Sequence, residues 1–316
     1  MTDAIGSRTD GSRRRFALAG AAALAVAAFT AFGFGDATGL LRSVAHQVPE
    51  LGLLVLAMAL PMMAGGINLA IVAIANLSAV ATALAFARLG GDGLVAPLAL
   101  AFGLAVGGGC GALIGALVAH ARIDPVVASL GGLMVASGVG ILVTNGSAVT
   151  GLPDFVAAAA DRTVFGLPLM TLVFLAATAL VALLVHRAPF GRRLSAVGHN
   201  AQASLYSGVD VARVHLTVYT LSGILSALAG LVMLSRFNSA RMGYGDSYLL
   251  VTLLAAVLGG VDPKGGRGAV WATVAAILTL QISASGLNLL GASQHAASVA
   301  WGGILIAKLA LDRIRA

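Results

Sequence analysis

The chain has 316 residues, of which 59% are hydrophobic and 10% charged, and its formal net charge is +7. A soluble domain carries about 25% charged residues, so this composition excludes an ordinary water-facing surface and indicates a membrane protein. The basic residues stand singly or in small groups between apolar runs, which is typical of loop charges and argues against a nucleic-acid-binding face.

Ten apolar runs bounded by charged or turn residues are candidate transmembrane helices: Phe16–Gly35, Leu51–Ala64, Ile67–Ala87, Leu94–Ala121, Val126–Val143, Gly166–Val185, His215–Ser235, Tyr248–Val261, Ala269–Leu290 and Ala296–Ala310. Because a span needs about 20 apolar residues, these runs predict an all-α, polytopic helical bundle with about ten transmembrane helices. We expect a single transmembrane domain over residues 16–312, with cytoplasmic tails at 1–15 and 313–316. The arginines at 13–15 are interpreted as a positive-inside anchor, not as part of a cleaved signal.

The stretch from Leu51 to Ala87 is either two spans or one long broken span. With ten spans and a cytoplasmic N-terminus, fourteen of the 19 Lys and Arg residues fall inside and five outside. Merging the second and third runs changes this distribution to eight inside and eleven outside. Because cytoplasmic loops carry the excess of Lys and Arg, the charges favour ten spans in the cell inner membrane, with both termini cytoplasmic.

Glycines recur at every fourth position of the fourth run, at Gly103, Gly107, Gly111 and Gly115. This spacing places them on one face of a helix, where two backbones can approach closely in lipid. The pattern predicts a tight helix pair inside the subunit; pairing of two subunits is the alternative.

Polar side chains within the apolar runs mark a structural hydrogen bond or a solute pathway. For Asn76, Gln281 and Asn288 both interpretations stay open. Asn68 follows Gly65-Gly66 and a short run, and interrupted helices expose backbone groups to a solute, so we assign Gly65, Gly66 and Asn68 to the pathway. Asn76 and Asn288 are included as further candidate pathway residues.

No Asp or Glu is expected in the middle of a span, which argues against a proton-coupled transporter. His46 and Glu50 form the nearest candidate pair for an enzyme site, and we interpret them as a solvated span edge. No nucleotide-binding P-loop sequence occurs, so any energy for transport is expected from another subunit. We therefore predict a transport subunit and not an enzyme, with no catalytic residue, metal or cofactor.

The longest polar segment on the predicted cytoplasmic side covers residues 186–214. Within it, Asn200 is a candidate N-cap, Ala201–Ser207 a short helix and Gly208 its C-terminal glycine. Such a capped helix can be bound by a partner subunit. The alternative interpretation is that the segment is only a solvated connecting loop.

Ordered short motifs in the second half of the chain resemble a known family. They are Phe190-Gly191-Arg192, Ala196-Val197-Gly198-His199-Asn200, Ser207-Gly208-Val209, Val218-Tyr219-Thr220-Leu221-Ser222-Gly223, Ala227-Leu228-Ala229-Gly230, Ser235-Arg236-Phe237-Asn238-Ser239-Ala240, Leu258-Gly259-Gly260, Gly265-Gly266-Arg267-Gly268 and Gly286-Leu287-Asn288-Leu289-Leu290-Gly291. With Gly65-Gly66-Ile67-Asn68-Leu69 and Thr144-Asn145-Gly146-Ser147 upstream, the chain closely resembles the permease subunits of ribose-, xylose- and arabinose-type ABC sugar importers, from about Leu51 to the C-terminus.

The resemblance implies a type II ABC importer-like fold and ATP-driven translocation of a pentose, hexose or related polyol. It implies as partners a second permease subunit, identical or a sister chain, two cytoplasmic ABC ATPase domains, a periplasmic sugar-binding protein and membrane lipid. It also implies that ATPase closure moves a coupling element, to which we assign Arg192, Gly198, His199, Asn200, Ala203 and Gly208.

Three positions depart from the family pattern: Asn68 replaces its usual Asp, Ala70 its usual Ser, and His199 the second glycine near the coupling helix. The neutral Asn68 amide loses a charge-assisted contact, so the substrate does not follow from the resemblance. The alternative functions are an ion-coupled or passive solute transporter acting without an ATPase, and an integral-membrane enzyme.

Overall fold

The computed structural model describes residues 37–91, 94–164, 166–289, 299 and 301–303; for residues 37–42 and 287–289 it describes the backbone alone. The helices within residues 37–289 are α1 (Ala37–Met63), α2 (Ile71–Leu89), α3 (Val95–Ala119), α4 (Pro125–Thr144), α5 (Asp154–Asp161), α6 (Leu169–His186), α7 (Pro189–His199), α8 (Ala201–Tyr206), α9 (Val211–Phe237), α10 (Tyr248–Leu258) and α11 (Val270–Leu289). A two-residue antiparallel hairpin pairs β1 (Thr163–Val164) with β2 (Leu167–Pro168).

Six of these helices, α1 to α4, α6 and α9, are long and apolar enough to cross a membrane. Two further apolar helices, α10 and the part of α11 from Val270 to Gly286, are below this length and coincide with the predicted eighth and ninth runs. The predicted first run and most of the tenth lie outside the described residues. The prediction of a polytopic helical membrane protein is therefore confirmed, whereas the count of about ten spans is not.

Helix α1 begins at Ala37, well before the predicted start at Leu51, and it contains Pro49 and Pro61. The sequence prediction started this span at Leu51 because the preceding residue, Glu50, is a carboxylate. In the structure Glu50 lies inside the helix and is only 1% exposed. The prediction that Glu50 belongs to a solvated span edge, and with it the expected absence of carboxylates within the spans, is wrong.

The chain reverses between α1 and α2. Four contacts with the long helix α9 fix their directions: Glu50–Arg236 and Ala57–Ser222 for α1, and Asn68–Ser222 and Ala75–Gly230 for α2. Helix α1 therefore runs antiparallel to α9, and α2 runs parallel to it. Residues 51–87 consequently belong to two helices joined by a turn and not to one long broken helix.

Helix α9 is the centre of the bundle and packs against α1, α2 and α3. Its buried residues include small and polar side chains such as Ser222, Gly223 and Ser226. In contrast, α3, α4 and α6 expose large apolar side chains, for example Leu113, Leu142 and Leu180. Small residues pack where helices meet and large apolar residues face outward, as lipid surroundings require.

Candidate functional site

Different interactions join the helices and loops at each of the two ends of the bundle. At one end, the loop after α1, the end of α7 and the loop before α11 meet through glycines, and we call Gly65, Gly198, Gly265 and Gly266 the glycine junction. At the opposite end, polar side chains of α1, α9, α10 and α11 meet, and we call Gln47, Glu50, Arg236, Tyr248 and Gln281 the polar cluster.

The glycine junction is built from backbone contacts. The Gly266 N–H donates to the Met63 carbonyl oxygen at 2.9 Å, and the Ser195 hydroxyl donates to the Gly266 carbonyl oxygen at 2.6 Å. A Cβ atom on Gly198 would overlap the Met63 oxygen and the Gly266 nitrogen, and one on Gly265 would lie 2.8 Å from the Gly65 nitrogen. Backbone φ values of +86° at Gly65 and +94° at Gly265 add a conformational requirement that side chains rarely meet. Only glycine fits these positions.

The predicted coupling segment consists of two helices, α7 and α8, followed by a turn. As predicted, Asn200 caps the short helix, because its side-chain oxygen accepts from the Ala203 N–H at 2.9 Å. Gly208 has φ +79° and ends the turn after α8. Arg192, Ala203 and Gly208 are exposed. Helix α7 itself was not predicted from the sequence.

His199 occupies a position that the resemblance assigns to glycine, and it contacts the glycine junction. Its Nδ1 lies 2.7 Å from the Ser195 carbonyl oxygen, one turn back along α7. A Cβ atom on Gly266 would overlap the His199 ring, so the ring lies flat against this glycine. The His199 side chain is exposed on its other side and covers Gly266 within the subunit.

Gly66 and Asn68 lie in the turn between α1 and α2. Gly66 is buried, and a Cβ atom there would lie 2.5 Å from the Tyr219 hydroxyl and 3.0 Å from the Pro125 ring. Asn68 is wholly buried; its Nδ2 donates to the Ser222 hydroxyl at 3.0 Å, and its Oδ1 accepts from the Ala70 N–H at 3.0 Å. In this conformation the Asn68 amide ties the turn to α9.

The other polar side chains of the apolar runs are Asn76 and Asn288, which are candidate pathway residues, and Gln281, for which the sequence leaves both interpretations open. Asn76 is 3% exposed on α2, and its Nδ2 has no partner among the described residues. Gln281 donates from Nε2 to the Gln47 side-chain oxygen at 2.7 Å and so links α11 to α1. The side chain of Asn288 lies outside the described residues.

The four glycines of α3 face other helices of the same subunit. Gly107, Gly111 and Gly115 lie against α9, where Gly223 provides the matching surface, and Gly103 lies against α2 at Thr82. Gly109, on the opposite side of α3, has no atom within 4 Å of its Cβ position. These glycines therefore form close contacts inside the subunit.

Sequence reasoning named Gln281 and Glu50 separately but missed the polar cluster that brings them together with Gln47, Arg236 and Tyr248. The Glu50 Oε1 forms an ion pair with the Arg236 guanidinium and accepts a hydrogen bond from the Tyr248 hydroxyl at 2.8 Å. Burying a carboxylate in a membrane-spanning helix is costly unless it is paired, and the partners come from segments 186 and 198 positions away. The available sequence signal was a single carboxylate next to a long apolar run.

Long apolar helices packed around a centre of small residues define a multi-pass helical membrane protein. Residues 40–309 match the family described as the permease component of the branched-chain amino acid transport system. The chain belongs to this permease family.

Several relatives carry names from import systems. The chain is 35% identical over 270 residues to the ribose import permease protein RbsC of Bacillus subtilis, which covers 85% of this chain and 83% of the relative. It is 31% identical over 262 residues to the autoinducer 2 import system permease protein LsrD of Photorhabdus luminescens, covering 81% and 78%, and 34% identical to LsrD of Enterobacter sp. (strain 638). No solved structure matches the chain.

Proposed function

We propose that the chain is the membrane-spanning subunit of an ATP-driven importer for a neutral sugar, a pentose, hexose or related polyol. The observation that carries this proposal is the similarity to a ribose import permease along most of both chains. The family description refers to branched-chain amino acids, whereas the names of these relatives refer to ribose and autoinducer 2. The proposed substrate class, a sugar, is therefore taken from the names of these relatives and not from the family description.

The proposal places the glycine junction on the cytoplasmic side. Basic residues are concentrated at this end, at Arg122, Arg187, Arg192, Arg193, Arg213, Lys264 and Arg267. The opposite end holds fewer of them among the described side chains, at Arg88, Arg162, Arg236 and Arg241. This asymmetry supports the orientation, because cytoplasmic loops carry the excess of Lys and Arg.

Helix α8 is proposed as the contact for a cytoplasmic ATPase. Its last residues, Leu205 and Tyr206, are 59% and 88% exposed. Aromatic and apolar side chains at an exposed tip can anchor a partner in a pocket. Gly198 lies in α7, the helix that precedes α8. A displacement of α8 would therefore be transmitted through the backbone contacts of the glycine junction to the turn between α1 and α2. Gly65, Gly66 and Asn68 then belong to the part that moves.

The remaining partners follow from the same proposal: a second permease subunit, two ATPase domains and a periplasmic sugar-binding protein. The exposed apolar faces of α3, α4 and α6 are available for lipid or for the second permease. Affinity for the sugar would come mainly from the binding protein, so a weak site in the permease suffices.

The experiment is reconstitution of the chain in proteoliposomes with its candidate ATPase and binding protein. We expect sugar-dependent ATP hydrolysis and sugar uptake, and we expect both to be lost when residues 198–208 are replaced by a neutral linker. A linker variant that retains sugar-stimulated hydrolysis would contradict the coupling role.

A transporter acting without an ATPase is the second candidate, and Glu50 is the observation that favours it. A carboxylate buried in a span is a feature of ion-coupled transport. Its ion pair with Arg236 favours a structural or substrate-binding role instead. Sugar uptake by the purified chain alone, driven by a proton or sodium gradient, would decide for this candidate.

A further inference from the structure

A row of polar side chains runs along one face of α1 into the polar cluster. Ser43, Gln47 and Glu50 are spaced four and three residues apart, so they lie above one another on the helix. The Gln47 Nε2 donates to the Ser43 hydroxyl at 2.9 Å, which joins the first two. Ser43 is exposed, Gln47 is half-buried and Glu50 is 1% exposed. The row therefore leads from the end of the bundle inward.

The row ends at Glu50. In the following turns of α1, the side chains of Leu53, Leu54 and Ala57 are fully buried in the apolar core. Glu50 is thus the deepest polar group of α1 on this path.

Glu50 uses only one of its two carboxylate oxygens. Both Arg236 and Tyr248 bind Oε1, whereas the buried Oε2 has no partner among the described residues. Arginine and carboxylate frequently pair through two parallel hydrogen bonds, which would use both carboxylate oxygens, whereas here Arg236 pairs with Oε1 alone. A buried acceptor without a partner carries a desolvation penalty, which a ligand hydroxyl at Oε2 would remove.

Helix α11 faces this row with further polar groups. Gln281 contacts Gln47, and Ser285 follows Gln281 by one helical turn on the same face. Ser285 is 5% exposed, and its hydroxyl also has no partner among the described residues. The Glu50 Oε2 and the Ser285 hydroxyl, both buried and without partners among the described residues, therefore lie on either side of the Gln47–Gln281 amide pair. The hydrogen bond of this amide pair can be replaced by bonds to a ligand.

The chemistry of these groups selects the ligand. The Glu50 charge is already balanced by Arg236, and the other members are amides and hydroxyls, so the site offers no net charge. Planar carboxylate and amide groups together with hydroxyls match the alternating donors and acceptors of adjacent hydroxyl groups. A neutral polyhydroxylated molecule fits this set better than a molecule with a charged amine or carboxylate.

We propose that Gln47, Glu50, Gln281 and Ser285 form a binding site for a neutral polyhydroxylated ligand at the end of the bundle opposite the glycine junction. This proposal rests on the proposed function and specifies where the permease receives its sugar. The Glu50 Oε2 accepts from one ligand hydroxyl, the glutamine amides bond to its neighbours, and the Ser285 hydroxyl closes the side nearest the end of the bundle.

The test uses the complete reconstituted importer, with D-ribose, D-xylose, L-arabinose and L-leucine as probes. Glu50→Gln and Gln281→Met are each expected to lower kcat/KM for the transported sugar about tenfold, the loss of one hydrogen bond to a binding group. Ser285→Ala, the mildest change, is expected to lower it about threefold to tenfold. Uptake is normalised to folded complex by size-exclusion chromatography.

Ser283→Ala is the matched control on the same helix. The Ser283 hydroxyl donates to the Thr279 carbonyl oxygen of its own helix at 2.8 Å, so wild-type uptake is expected. If the wild-type complex imports a sugar and Gln281→Met and Ser285→Ala import it equally well, the site is refuted while the proposed function stands. If the wild-type complex imports L-leucine and none of the three sugars, both proposals are refuted.

Discussion

The two ends of the bundle differ in what joins their elements. At the glycine junction, three segments meet mainly through backbone atoms, and the Ser195 hydroxyl and the His199 ring add short contacts to Gly266. At the polar cluster, four helices meet through the ends of long side chains, whose bonds can break one at a time. The junction is suited to carry displacement from one segment to the next, whereas the cluster is suited to exchange internal bonds for ligand bonds. The following predictions test this contrast.

The largest effect is expected from breaking the ion pair of the polar cluster. Arg236→Ala leaves the Glu50 carboxylate buried without a counter-charge, and removal of one partner of a buried pair costs about 3 kcal/mol or more. We expect a clear fall in the thermal unfolding temperature of the purified protein in detergent. Glu50→Gln in the Arg236→Ala background should restore most of it, because no buried charge remains. Equal losses in the single and double variants would show that the ion pair is not what holds this end.

The next effect concerns the glycine junction. Gly198→Ala places a methyl group against the Met63 carbonyl oxygen and the Gly266 nitrogen, and overpacking of this kind costs about 1–3 kcal/mol. We expect α7 to shift away from the turn after α1, so that the complex still hydrolyses ATP but imports clearly less sugar per ATP hydrolysed.

Gly138→Ala on α4 is the control for this variant. The Gly138 Cβ position has no atom within 4 Å, so unchanged uptake per ATP is expected. Unchanged uptake per ATP in Gly198→Ala as well would remove the assigned role of the junction in coupling.

Between the two ends, the close pairing of α3 with α9 is expected to make these helices move together. Gly111→Ala should destabilise the protein by about 1–3 kcal/mol, since the added Cβ would overlap the Tyr219 carbonyl oxygen. Gly109→Ala on the exposed side should leave stability unchanged or raise it by up to about 1 kcal/mol, because alanine favours a helix over glycine. A lower unfolding temperature for Gly111→Ala without a loss for Gly109→Ala would support the contact; an equal loss in both variants would contradict it.

The sequence indicated the packing glycines of α3 and the capped helix α8 better than it indicated the polar cluster. Glycine spacing in α3 and the Asn200–Gly208 signature are local patterns, and local patterns can be read from neighbouring residues. Glu50 could not be placed in this way, because its burial depends on Arg236 and Tyr248, which are remote in the chain. The role of His199 was also hidden, since Gly266, which it packs against, belongs to another loop.

The smallest effect separates stability from coupling at the junction end. The Asp124 carboxylate caps α4 by accepting from the Val126 N–H at 2.9 Å, and Asp210 caps α9 by accepting from the Arg213 N–H at 3.0 Å. Loss of such a cap costs about 1 kcal/mol, so Asp124→Ala and Asp210→Ala should each lower the unfolding temperature slightly. Because neither carboxylate contacts the backbone junction, sugar imported per ATP hydrolysed should stay at the wild-type value in both. If the cap variants lose coupling as strongly as Gly198→Ala, the junction is only one of several contacts that stabilise this end, and its glycines have no distinct part in transmitting motion.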